Sequence, residues 1–80
     1  MTSGTIQLDL HGKNQYQAKI AIEDQLRRAS RGVYRLRVIH GCHQGTALRD
    51  MIRQTYASDS RILRLDCSAA GSTDIILREY

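Results

Sequence analysis

Eighty residues, twelve of them Lys or Arg against eight Asp or Glu, carry a formal net charge of +4. A chain of this length forms one domain and buries only about 60–65% of its unfolded surface, which excludes a deep cavity around a large cofactor and leaves a cleft or an edge for any active site. No apolar run approaches the ~20 residues of a membrane span, and Met1-Thr2-Ser3-Gly4 opens no basic and then apolar leader, so the cytoplasm is the default.

Along the chain, Ile6, Leu8 and Leu10 alternate with Gln7, Asp9 and His11, which predicts a strand over Thr5 to His11 ended by Gly12. From about Asn14 to Ser30 the period becomes helical. Ala18, Ala21, Ile22, Leu26 and Ala29 form one stripe, cationic side chains gather near its C-terminal end, and Gly32 is the stop. Tyr34 to His40 is a second strand, with Leu36 and Val38 on one face and Arg35, Arg37 and Ile39 on the other. A loop over His40 to Gly45 precedes a second helix, N-capped by Thr46 and running to about Tyr56, with Leu48, Met51, Ile52 and Thr55 inward. Arg61 to Cys67 alternates again, placing Ile62, Arg64 and Asp66 opposite Leu63, Leu65 and Cys67. After a turn of small residues, Thr73 to Leu77 forms the last strand, with Asp74, Ile76 and Arg78 opposite Thr73, Ile75 and Leu77.

The order βαβαββ predicts an α/β protein, a two-layer α+β sandwich over one domain of residues 1–80. Right-handed crossovers run the first three strands parallel, and the short turn before Thr73 makes the fourth antiparallel. Both helices then lie on one face and the other face stays open. His11-Gly12, the His40 to Gly45 loop and Gly71-Ser72-Thr73 meet at one rim, at the carboxyl ends of the parallel strands, where ligands collect.

The residues at that rim resemble a known family. Leu8-Asp9-Leu10-His11-Gly12, then Val38-Ile39-His40-Gly41 with Gly45-Thr46-Ala47-Leu48-Arg49, then Gly71-Ser72-Thr73-Asp74-Ile75-Ile76-Leu77 look like the three signatures of the Smr (small MutS-related) domain, in order and in spacing. The resemblance implies the fold shared with the C-terminal domain of the third bacterial translation initiation factor, with sheet order 1-2-4-3. It also implies nucleic-acid binding and, in many members, endonuclease activity on RNA or nicking of DNA. The family's Asp-x-His signature is carried by Asp9 and His11, and the second signature by His40, Gly41 and Gly45. Where members often have His-Gly-Lys-Gly-x-Gly, this chain has Cys42 and His43 at the Lys and middle Gly.

Chemistry read from the residues points the same way. Alternation puts Asp9 and His11 on one side of their strand, about 6.6–7 Å apart along it, and a carboxylate beside an imidazole fixes its tautomer for general acid or base work. Asp9, His11 and His40 are therefore the candidate catalytic residues, with His11 or His40 removing the proton of a ribose 2′-OH. Asp9 bonded to loop amides and His40 capping its strand is the structural alternative. Arg49, in the first turn of its helix, opposes the dipole by about 0.3–1 kcal/mol unless an anion or Asp50 offsets it. With Arg53 one turn on, it makes a candidate phosphate stripe beside Gly41, Gly45 and Thr46. Ten of the twelve basic residues are Arg, the fork suited to phosphate, and Arg35, Arg37, Arg64 and Arg78 share the open sheet face, where Asp66 and Asp74 are able to pair with them. Ile39, Ile62 and Ile76 on that face hint at a partner or dimer contact.

His11, His40, His43, Cys42 and Cys67 all map near the rim, but their spacing fits no usual zinc pattern, and no metal residue is assigned. The sequence requires no cofactor, and a divalent metal stays open. The reading is an Smr-type endonuclease acting on RNA, or nicking DNA. A non-catalytic module docking on RNA or the ribosome is the alternative. The expected partners are RNA or DNA, with no membrane, and the chain is a monomer or weak dimer.

Overall fold

The computed structural model describes residues 4–29, 32–41 and 46–78. The elements run β1 (Thr5–Asp9), α1 (Gln15–Arg28), β2 (Arg35–Ile39), α2 (Ala47–Tyr56), β3 (Arg64–Asp66) and β4 (Ser72–Ile76). The four strands form one mixed sheet in the order β1-β2-β4-β3, with β1 parallel to β2 and β4 antiparallel to both β2 and β3. This is the expected βαβαββ architecture.

Inward alternation builds the core. Leu36 and Val38 of β2 and Ile75 of β4 meet Ala18 and Ile22 of α1 and Ile52 and Tyr56 of α2, with Leu10 closing the rim end. Ile6 and Leu8 are only partly buried because β1 is an edge strand. Helix α1 begins with a reciprocal capping box in which Asn14 accepts the Gln17 N–H at 2.8 Å and the Gln17 side chain accepts the Asn14 N–H at 3.1 Å. Arg27 and Arg28 complete its last turn, and the helix stops at Arg28, before the predicted Gly32.

Three expectations are corrected by packing. On α2 the inward residue is Tyr56, fully buried, while Thr55 is exposed: four residues after Ile52 the larger ring completes the apolar stripe, and its hydroxyl donates to Glu23 at 2.8 Å. Strand β3 pairs over three residues only, so alternation does not extend back to Ile62, which packs against the core while Leu63 is exposed. Thr46 precedes α2 without a side-chain cap. Its hydroxyl instead donates to Asp50 Oδ2 at 2.9 Å.

At the end remote from the rim, Arg61 reaches Glu23 on α1 through Nη1 and Nη2 at 3.0 and 3.1 Å and holds Asp59 at 2.6 Å. These bonds hold the turn after α2 against α1. Among the described residues no helix is long and apolar enough to cross a membrane.

Candidate active site

Strand β1 ends at Asp9 and the chain turns, so Asp9 and His11 come far closer than an extended strand allows. The Asp9 carboxylate accepts the His11 backbone N–H at 3.1 Å and meets the ring nitrogen Nδ1 at 2.5 Å, both on Oδ1. The His11 hydrogen bond, ahead of other causes, holds the Asp9 carboxyl below its ordinary value. An ionised carboxylate only accepts, so the hydrogen of a neutral imidazole sits on Nδ1 and the lone pair on Nε2. The two side chains are 53% and 72% exposed, which leaves the pair open to a substrate.

The rim assembles as expected. Leu10 N–H donates to the Ile39 carbonyl at 2.7 Å, and the Gly71 carbonyl accepts from both His40 N–H at 3.1 Å and Gly41 N–H at 2.9 Å. Gly41 has a φ of +79°, the left-handed region that favours glycine, and a Cβ there would lie 3.7 Å from His11 Cβ. The turn after β2 thus sits directly beside His11. Gly45, Cys42 and His43 lie outside the described residues.

His40 is placed differently from His11. It is 7% exposed, with Nδ1 3.0 Å from the Gly41 carbonyl and Nε2 3.0 Å from Thr73 Oγ1. Thr73 Oγ1 also accepts from Arg53 Nε at 3.3 Å. Arginine only donates and a carbonyl only accepts, so for a neutral imidazole the directions are Arg53 to Thr73, His40 Nδ1–H to the Gly41 carbonyl, and Thr73 to His40 Nε2. Thr73, fully buried, is the member that the sequence reading missed. Its place at the start of the last strand was visible, but alternation gave only its face and not its partners.

Arg49 and Arg53 line one cleft of about 320 Å³ with Gly41, Thr46 and the small residues Ser68, Ala69 and Ala70. Arg49 Nε lies 3.2 Å from Asp50 Oδ1, so Asp50 does offset the unfavourable cation in the first turn of α2. The bond from Thr46, then that from Arg49, lowers the Asp50 pKa. Arg53 forms no ion pair among the described residues.

On the open face the arginines are not free. Asp74, 8% exposed, accepts Arg35 Nη1 at 2.9 Å and Arg37 Nε and Nη2 at 3.1 and 3.3 Å. Arg64 is exposed on β3, opposite Ile76 in the register. Arg78 follows β4, and its Nε and that of Arg35 are buried without hydrogen-bond partners among the described residues. Ile76, away from the main core cluster, is nevertheless 2% exposed between Arg35 and Arg64 in the register. With Ile62 turned to the core as well, the apolar patch expected there is absent among the described residues.

The rim joins an Asp-x-His pair, a buried His-Gly turn and a Gly-Ser-Thr segment, and the profile of the Smr domain family matches residues 8–73. The chain belongs to the Smr domain family. That family is nuclease-related and binds nucleic acid. The crystal structure of the Smr domain of Thermus thermophilus MutS2 superposes with a TM-score of 0.81 at 28% identity, covering 92% of this chain and 99% of that one. No curated protein matches the sequence. Among the described residues of this Smr domain no three His, Cys, Asp or Glu side chains gather where a metal ion would bind. Cys67 is exposed and lines the rim cleft as a free thiol.

Proposed function

We propose that this Smr domain is an endonuclease that cleaves RNA, with residues 1–80 acting as one cytoplasmic domain. The observation that carries this reading is the exposed Asp9 and His11 pair beside a cleft lined by Arg49 and Arg53. Asp9 orients the imidazole through Nδ1, leaving Nε2 as the base, the logic of any carboxylate, imidazole and hydroxyl arrangement. His11 Nε2 takes the proton of a ribose 2′-OH, and the 2′-oxygen attacks the adjacent phosphorus. The bond from phosphorus to the 5′-oxygen breaks, the departing oxygen takes a proton from solvent or a second acid, and a 2′,3′-cyclic phosphate remains. Arg49 and Arg53 hold the phosphate with charge-assisted bonds, in a cleft that Gly41 and Thr46 also line.

His40, buried with both nitrogens engaged, is a positioning residue in this scheme: it holds the Gly41 turn against His11. DNA has no 2′-OH, so nicking it would need water as the nucleophile, and RNA is the favoured substrate. No cofactor enters the step. A second reading, a non-catalytic module docked on RNA or the ribosome, is favoured by one detail: both Asp9 bonds are local and serve equally to close β1.

Incubation with single-stranded and structured RNA, alongside the same sequences as DNA, separates the readings. Catalysis by the pair predicts RNA products with 2′,3′-cyclic phosphate ends, lost in an Asp9→Ala/His11→Ala double variant. RNA binding without cleavage by the wild type would instead support the docking module.

A further inference from the structure

A polar cleft of about 360 Å³ opens on the helix-free side of the sheet, lined by Arg35, Arg37, Asp66, Ser68, Ser72 and Asp74. It shares the Ser68 and Ala69 wall with the rim cleft that holds Arg49 and Arg53. Three of its side chains form one register row, Arg37 on β2, Asp74 on β4 and Asp66 on β3. The two outer strands of that row stand about 10 Å apart, two inter-strand steps.

Hydrogen bonding leaves the two ends of the row open. Asp74 spends both oxygens on Arg35 and Arg37. Arg37 uses Nε and Nη2, so the two N–H groups on Nη1 remain to donate. Asp66 Oδ1 accepts the Ser68 N–H at 3.1 Å and the Ser68 hydroxyl at 2.8 Å, while Oδ2 has no hydrogen-bond partner among the described residues. Those Ser68 bonds lower the Asp66 pKa, so its open oxygen is an ionised acceptor at neutral pH. The cleft thus presents a carboxylate acceptor at one end and guanidinium donors at the other. Two arginines against two aspartates make it unsuited to a phosphate, which the carboxylates would repel.

We propose that this cleft is a nucleobase pocket that selects guanine from a single strand whose neighbouring phosphate lies on the rim. Guanine alone among the bases sets two adjacent N–H donors, N1 and N2, beside a carbonyl acceptor, O6, on one edge. Asp66 takes the donors and Arg37 the carbonyl. Adenine and cytosine offer one exocyclic amine there, and uracil places a carbonyl on either side of its single N–H. A base enters such a pocket only when splayed from a helix, so the substrate is unpaired at that position.

This inference rests on the nucleic-acid reading, and fluorescence anisotropy tests the two separately. Labelled eight-residue oligouridines carrying one internal G, A, C or U are titrated with the full chain at fixed salt. Roughly tenfold tighter binding of the G-containing oligomer is expected, the discrimination of one good base contact. In Asp66→Asn the amide oxygen still accepts from Ser68 while a donor replaces the open acceptor, so the G preference disappears and affinity for the all-U oligomer stays unchanged. Equal affinity for all four oligomers, or a G preference that survives Asp66→Asn, overturns the pocket and leaves nucleic-acid binding standing. Failure of every oligomer to bind overturns both.

Discussion

Replacing Thr73 by Val tests the hydrogen-bonded chain beneath the rim, because valine keeps the β-branched shape and deletes only the hydroxyl. Thr73 is fully buried, and His40 is 7% exposed, so the lost hydroxyl leaves His40 Nε2 without a donor and with little access to water. An unsatisfied buried acceptor costs about 1–3 kcal/mol. Arg53 lies half-buried, and water replaces its bond to Thr73 at little cost. The added methyl returns up to about 0.8 kcal/mol of apolar burial, for a net loss of about 1 kcal/mol at the middle of that range. In a domain of this length 1 kcal/mol moves Tm by about 4–8 °C, so the thermal midpoint followed by circular dichroism should fall by about that much. Thr73→Ser, which retains the hydroxyl, should lose less than half of that. A Thr73→Val midpoint within 2 °C of wild type would refute the directional chain from Arg53 to the Gly41 carbonyl.

Three further outcomes follow from the same geometry. Arg49→Gln and Arg53→Gln should each weaken RNA binding and reduce the slope of log affinity against log salt by about 1, measured by anisotropy between low and physiological salt. Gly41→Ala meets only ordinary van der Waals contact with His11 but needs a φ of +79°, so it should cost about 1–2 kcal/mol in urea denaturation. Asp59, bonded chiefly by the Arg61 side chain, has its carboxyl pulled down to about 2 from an ordinary 3.8. A depressed folded value means stability that is present above about pH 4 and lost as pH falls toward 2, and Arg61→Gln should flatten that part of an acid denaturation curve.

Much of this was legible in the chain because the sheet is built on period-two alternation and the loops on glycine. Ile6, Leu8 and Leu10, then Leu36 with Val38, then Ile75, face the helices as read; strand directions follow from crossover handedness and turn length, and strand order from the family resemblance. Alternation assigns a face and says nothing of partners. It therefore placed Arg35 and Arg37 on the open side with Asp66 and Asp74 both able to pair with them, without showing that Asp74 holds the two, and it placed Thr73 inward but not between Arg53 and His40. Tyr56 and Thr55 differ by a single helical step of about 100°, and the larger side chain took the core. At the rim, Asp9 and His11 were read as two steps along a strand. The strand ends at Asp9, and the turn that follows is what brings imidazole and carboxylate together.

The exposed Asp9 and His11 pair is the centre of the account, and single-turnover cleavage of one labelled RNA under saturating protein probes it most directly. His11→Ala should cut with a rate constant lower by about 10²–10⁴, with RNA affinity within twofold of wild type, because the side chain is exposed and moves a proton rather than holding the fold. A His11→Ala rate constant equal to that of wild type would contradict it.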